Sequence, residues 1–267
     1  MAGIELINIH KRYWVENRTV KVLNGISLHI PENQITVVLG RSGCGKTTLL
    51  RLTGGLEKAD QGEIRYGESH KTAFVFQEPR LMPWLTVWNN ITFGLSKREQ
   101  DRKKIADIIT TAGLTGFERA YPAQLSGGMQ QRTAIARALA YEPSFIMMDE
   151  PFAALDYFTR EQMQQELLRV QEAEHCSILF VTHSMDDAAR IADRLIVFHE
   201  GGIAMDGTPD EVFSRARELT EMGLDVPQPA AIAAALRERG AALPESVYTA
   251  QQLHEAVLAL LRKGGRD

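Results

Sequence analysis

Long apolar runs are missing from this 267-residue chain: no stretch approaches the ~18–20 consecutive apolar residues that a membrane-spanning helix needs. Met1–His10 lacks the charged start and apolar stretch of a secretory leader. Any work at a membrane is therefore expected from outside the lipid. Cysteine is scarce, and Cys44 and Cys176 show neither metal-ligand spacing nor a disulfide framework, which fits a reduced, intracellular location. A basic surplus is lacking too. Thirty Lys and Arg against 34 Asp and Glu give a net charge of -4, which argues against a non-specific nucleic-acid binder, and no nucleic-acid partner is expected. There is no internal repeat and no low-complexity tract. What remains is a composition, 44% hydrophobic and 24% charged, that suits a globular protein with a sizeable core.

Apolar, β-branched runs alternate with helix-period stretches. The pattern predicts strands at Ile4–His10, Val22–Ile30, Ile35–Leu39, Gly62–Tyr66, Ala73–Phe76, Phe145–Met148, Ile178–Thr182, Leu195–His199 and Gly202–Asp206. Ile35–Leu39, Phe145–Met148 and Ile178–Val181 are nearly continuous in apolar residues, as strands covered on both faces are. Helices are predicted at about Gly45–Thr53, Gly127–Tyr141, Asp156–Glu174 and Met185–Asp193, so the core is α/β. From Glu78 to Glu142 the strand signal vanishes, which reads as an inserted helical subdomain at about 78–142. After Thr208–Pro209 the composition shifts again, and two Ala/Leu-rich helices, about Pro229–Arg239 and Thr249–Leu261, are expected outside the core pattern. The division expected is 1–212 for the main domain and 213–267 for a helical extension.

Gly40-Arg41-Ser42-Gly43-Cys44-Gly45-Lys46-Thr47 fits the phosphate-loop pattern G-x-x-x-x-G-K-[ST] between a buried-type strand and a helix. A chain wrapped around a triphosphate must turn successive N–H groups inward, which needs glycine's freedom at positive φ. The helix beginning near Gly45 adds its positive end. Lys46 is expected to reach the β/γ-phosphates and the Thr47 hydroxyl to ligate Mg²⁺. Thr48 continues the set of expected ATP contacts. Phe145-Ile146-Met147-Met148-Asp149-Glu150 is an apolar strand ending in two carboxylates. By itself such a pair is an ordinary solvated turn; beside a phosphate loop, Asp149 is expected to hold Mg²⁺ and Glu150 to polarise the attacking water.

Leu125-Ser126-Gly127-Gly128-Met129-Gln130-Gln131 is the discriminating segment. It resembles the LSGGQ signature of the ATP-binding subunits of ATP-binding-cassette (ABC) transporters, with Met129 in place of the family's Gln. Ser126, Gly127 and Gly128 open a helix and so form a second anion site. The resemblance implies a phosphate-loop NTPase core with an antiparallel β subdomain, ATP and Mg²⁺ as ligands, and a head-to-tail dimer in which one chain's signature caps ATP on the other's phosphate loop. It further implies that Gln77 contacts Mg²⁺ and the attacking water, that Asp156, in Ala154-Leu155-Asp156, communicates across the dimer, and that His183 touches the γ-phosphate. Tyr13 sits where the family stacks an aromatic ring on adenine; Trp14 competes for that place, and a plain packing role stays open.

The chain carries one phosphate loop and one signature, with no long charged coiled-coil insertion. Glu78-Pro79-Arg80-Leu81-Met82-Pro83-Trp84-Leu85-Thr86-Val87-Trp88-Asn89-Asn90 resembles the nitrate, sulfonate and taurine importer ATPases. Leu81, Met82, Trp84 and Trp88 either anchor a partner's short helix or pack the helical subdomain. The tail segments Leu224-Asp225-Val226-Pro227, Ala234 to Gly240 and Leu243-Pro244-Glu245 resemble energy-coupling-factor ATPases, where the tail helps hold two ATPases together; helices lying on their own core are the alternative. The implied partners are a second ATPase chain, integral-membrane permease subunits and a substrate-binding protein or substrate-capture subunit, with the chain peripheral on the cytoplasmic face of the membrane. The competing class is a soluble ABC-type ATPase with no transport role.

Overall fold

The computed structural model describes residues 3–67, 71–153, 155–244 and 246–264. β1 (Ile4–Val15) and β2 (Arg18–Ile30) form an antiparallel hairpin. Glu16 and Asn17 both take positive φ, 43° and 64°, which gives the two-residue turn whose twist matches the flanking strands. Both strands outrun the sequence expectation, because the polar run Lys11–Arg12 and the stretch Asn17-Arg18-Thr19 hide the alternation. Tyr13 and Trp14 consequently ride on a strand, paired with Val20 and Thr19.

β3 (Ile35–Gly40) feeds α1 (Lys46–Thr53) through the glycine loop. β4 (Gln61–Tyr66) pairs antiparallel with β1, and β5 (Thr72–Val75) enters a second sheet. Three helices follow, α2 (Val87–Ile91), α3 (Arg102–Thr111) and α4 (Gly127–Ala140), with no strand between residues 78 and 142. They close on one another through Val87, Ile91, Ile105, Ile109, Leu125 and Ala136. β6 (Phe145–Asp149), α5 (Tyr157–Glu174), β7 (Ser177–Thr182), α6 (Met185–Ile191), β8 (Arg194–His199) and β9 (Gly202–Gly207) complete the sheets.

The large sheet has the order β5-β6-β7-β3-β8-β9, parallel except for the β8–β9 pair; the small sheet has the order β2-β1-β4. β3 and β7 are buried at every position. Alternation along β3 divides the core. Val37 and Leu39 pack with Ile135 of α4, Leu167 of α5 and Ala188 of α6, whereas Val38 packs with Leu49 and Leu52 of α1 and with Ile4 and Leu28 of the small sheet. Each layer thus covers one face, and the carboxyl ends of β3, β5, β6 and β7 emerge together. Ligands of open parallel sheets bind at such an edge.

Four helices follow β9: α7 (Pro209–Phe213), α8 (Ala216–Glu221), α9 (Gln228–Glu238) and α10 (Ala250–Gly264). The first two were not expected from the sequence, although Thr208 and Glu211 form a reciprocal capping box with Pro209 in the first turn, a legible start signal. Phe213 packs into the core cluster that includes Val197 and Met205, Tyr248 meets Phe213 at 5.3 Å, and α9 and α10 share a small apolar cluster of Ala233, Leu243 and Val247. Glu245, the last residue of one tail segment read above, lies outside the described residues, as does Ala154. Among the described residues no helix is long and apolar enough to cross a membrane.

Candidate active site

The glycine loop explains its own composition. Gly43 and Gly45 hold φ of 82° and 110°, and a Cβ on Gly45 would sit 3.0 Å from the Val22 carbonyl oxygen. Lys46 is buried, and its ammonium donates to the carbonyl oxygens of Gly40 at 2.6 Å and Arg41 at 3.0 Å, so the loop curls around its own cation. The Cys44 N–H donates back to Arg41 O at 3.3 Å. Gly40, Arg41 and Cys44 frame the loop, whereas Ser42, Gly43, Gly45, Lys46, Thr47 and Thr48 line a cavity of about 500 Å³ together with Tyr13, Gln77, Asp149, Glu150 and His183. Three separate strand ends deliver those last residues: β5 leads to Gln77, β6 to Asp149 and Glu150, and β7 to His183.

The Thr47 hydroxyl donates to Asp149 Oδ1 at 3.1 Å. Burial pushes the Asp149 carboxyl above its ordinary range; the Thr47 hydrogen bond opposes this, and the neighbouring Glu150 charge adds to it. A half-buried carboxylate disfavoured in its charged form, beside a hydroxyl, suits a hard cation with oxygen ligands. These residues fit Mg²⁺. Among the described residues no cluster of three or more His, Cys, Asp or Glu makes a closed cage, so two or three protein oxygens leave positions for phosphate and water, the usual pattern for Mg²⁺.

The upward Asp149 shift makes the stability of the fold depend on pH. With the folded-state pKa above the unfolded value, the unfolded chain ionises first as pH rises. The destabilisation therefore grows from the ordinary carboxylate range upward and is complete above the folded pKa. Asp149→Asn is expected to raise the melting temperature of the nucleotide-free protein at neutral pH, a gain that disappears below the carboxylate range. The same variant is expected to lose the extra stabilisation that Mg²⁺ gives to the ATP complex; scanning calorimetry with and without Mg²⁺ checks both.

Glu150 holds φ of 46°, with its N–H fixed to Val181 O at 2.9 Å. Its Oε1 lies 2.8 Å from His183 Nδ1, and its Oε2 accepts from the Thr182 hydroxyl at 3.2 Å. Both oxygens of the carboxylate are thus held from β7. Thr182 is a residue that sequence reading missed; its place directly before His183 was the available signal. Two others fix the Gln77 segment. Gln131 of α4 donates to Phe76 O at 3.2 Å, and Arg137 donates to Pro79 O and Arg80 O, each at 3.1 Å.

Tyr13 is half-buried, and its hydroxyl donates to Glu57 at 2.5 Å, whereas Trp14 is 72% exposed and does not line the cavity. Asp156 caps α5, accepting from the Thr159 N–H at 3.1 Å, and Ser126 caps α4, accepting from the Met129 N–H at 3.2 Å. Ser126, Gly127 and Gly128 do not line the cavity that holds the glycine loop. Of the apolar anchors after Gln77, Trp88 packs on the α2–α4 cluster and Trp84 is 70% exposed. Buried Asn90 fastens that segment by bonding Met82 N–H and O, Leu85 O and Thr86 O.

Residues 23–153 match the ABC transporter family. A protein of Methanocaldococcus jannaschii described as an uncharacterized ABC transporter ATP-binding protein is 46% identical over 204 residues, covering 73% of this chain and 76% of its own length. The chain belongs to the ABC transporter family. It is an ATP-binding cassette and an ATP hydrolase. An aliphatic sulfonates import ATP-binding protein, SsuB of Bacillus anthracis, is 42% identical over 201 residues, 73% of this cassette and 80% of that protein. Among solved structures, a dimeric ATP-binding cassette in a post-hydrolysis state bound to ADP and Pi superposes with a TM-score of 0.70 at 32% identity, over 77% of this chain and 98% of that one. CbiO1 of Clostridium perfringens, part of the ABC transporter complex cbiONQ, gives a TM-score of 0.70 at 25% identity, over 82% and 94%.

Proposed function

We propose that this cassette is the ATPase subunit of an importer, working as a head-to-tail dimer beneath integral-membrane permease subunits. One observation carries the reading: the two anion-binding glycine motifs of one chain do not share a cavity, since Ser126–Gly128 stand apart from the pocket of Lys46, Asp149 and Glu150. A second chain brings the missing half to each site. The name of the sulfonate-import relative supports the importer assignment, as does the exposed Trp84 beside the fastened Gln77 segment. A substrate-binding protein or substrate-capture subunit outside the membrane completes the assembly, and the chain sits at the cytoplasmic face.

In the reaction, Lys46 exchanges its two carbonyl partners for β- and γ-phosphate oxygens, and Tyr13 stacks on the base. Thr47, Asp149 and Gln77 would hold Mg²⁺, which would offset phosphate charge. Glu150 takes a proton from the attacking water; the new bond forms between water oxygen and γ-phosphorus, the bond to the β-bridging oxygen breaks, and ADP and phosphate leave. His183 and Thr182 hold the two Glu150 oxygens, so the carboxylate is aimed before substrate arrives.

Purification from detergent extracts of native membranes tests the reading: an integral-membrane permease is expected to co-purify and to raise ATP turnover. A chain that leaves the cells free of any such partner supports the soluble-ATPase alternative. A second test concerns the signature. A Cβ on Gly127 meets nothing within 4 Å, so Gly127→Asp adds negative charge at the helix start without a clash. ATP affinity of the monomer is expected to stay within about twofold while hydrolysis falls about 100-fold, because a carboxylate there repels the partner's ATP.

A further inference from the structure

Asp187 is a buried carboxylate for which the hydrolysis scheme has no use. It lies in the first turn of α6, four residues after His183, and is 4% exposed. Gln164 of α5, equally buried, donates from Nε2 to Asp187 Oδ1 at 2.7 Å. The Arg160 guanidinium approaches to 4.0 Å. A carboxylate so placed is costly without a donor, so the Gln164 bond holds the first turn of α6 against α5.

The Asp187 end of that bond leads to the reacting groups. On the α6 side, Ser184 Oγ accepts from the Asp187 N–H at 3.2 Å, and the Ser184 N–H donates to Thr182 Oγ1 at 3.0 Å; Thr182 in turn bonds Glu150. On the α5 side, Arg160 donates to Leu155 O at 3.4 Å, next to the Asp156 cap. Arg190 also ties α6 to α5, through Glu161 at 2.6 Å, but at the exposed surface, where such a pair holds weakly.

We propose that Gln164 and Asp187 are a positioning pair: their hydrogen bond fixes the start of α6 on α5 and thereby keeps His183 and Thr182 on the two oxygens of Glu150. The pair touches no substrate atom. The inference rests on the reading of Glu150 and His183 given above.

Gln164→Leu is expected to lower kcat about tenfold or more, because a small displacement of an aimed group is costly, while KM for ATP stays within about twofold. The ¹⁵N resonances of the His183 imidazole are expected to shift with it. Gln164→Asn, one methylene shorter and still polar, moves both readouts in the same direction and serves if the leucine variant folds poorly. Asp187→Asn keeps an acceptor oxygen for Gln164 and is expected to retain at least about half of kcat; the double variant Gln164→Leu with Asp187→Asn falls no further than Gln164→Leu alone. A purely structural pair lowers the melting temperature but leaves kcat and the His183 resonances at wild-type values well below melting, and that result overturns the proposal. So does a KM that rises in step with the loss of kcat, or an Asp187→Asn loss as large as that of Gln164→Leu. Glu150→Gln and His183→Ala run alongside. If those two hydrolyse normally, the reading of the site itself fails; if they are inactive and both Gln164 variants are normal, only the positioning role falls.

Discussion

Glu150→Gln is expected to abolish multiple turnovers, with phosphate release falling about 10²–10⁴-fold, while ATP-dependent dimers persist on gel filtration. The factor is the usual contribution of a positioned general base. Glutamine is isosteric, so the left-handed backbone at φ 46° and the N–H bond to Val181 O are undisturbed. One side-chain oxygen remains to meet Thr182 or His183. What disappears is the capacity to take a proton from water. The loss is thereby separated from binding: ATP still glues the dimer, and the glue no longer dissolves. Near-normal phosphate release in this variant removes Glu150 from its role and, with it, the account of why β7 grips both of its oxygens.

Lys46→Ala is expected to weaken ATP binding about 100-fold. Hydrogen bonds to charged groups contribute about 1.5–3 kcal/mol each, and every 1.4 kcal/mol is about tenfold in affinity. Lys46 already makes two bonds to carbonyl oxygens, at 2.6 and 3.0 Å, so the ammonium is placed in advance and binding spends little on ordering it. The variant also leaves Gly40 O and Arg41 O without their donor, and a small drop in the melting temperature of the nucleotide-free protein is expected alongside. Titration with a fluorescent ATP analogue reads the affinity. An unchanged dissociation constant is incompatible with Lys46 as the phosphate ligand.

The glycine loop could be read from eight consecutive residues because a phosphate cradle is a local object: positive φ, successive N–H groups and a helix start all lie within one turn. The buried strands β3, β6 and β7 were legible for a related reason, since burial on both faces leaves a continuous apolar run. The outer halves of β1 and β2 were not. There one strand face meets solvent, and Lys11, Arg12 and Arg18 interrupt the alternation. α7 and α8 were overlooked because they are short, at five and six residues, and are held by a cap and by packing rather than by periodicity.

The partners of Glu150 show where local reading stops. His183 was recognised from its place at a strand end, and Thr182 could have been found as its neighbour, yet Ser184, Gln164 and Asp187 carry no motif that announces them. Gln164 meets Asp187 because α5 packs against α6, and Thr182 reaches Glu150 because β7 pairs with β6, so these bonds span 23 and 32 positions of sequence. The Asp149 shift is of the same kind, since its main cause is burial under neighbouring elements.

By itself, then, the chain of residues determined the α/β class, the phosphate loop, the acidic strand end and the family, because each depends on chemistry within a few neighbouring positions. Tertiary structure alone decided that Ser126–Gly128 stand outside the cavity of their own phosphate loop, that Tyr13 rather than Trp14 faces that cavity, and that the Glu150 carboxylate is gripped from β7. Those outcomes follow from how two sheets and their helices stack, and stacking is set by the burial of apolar faces far apart in the chain.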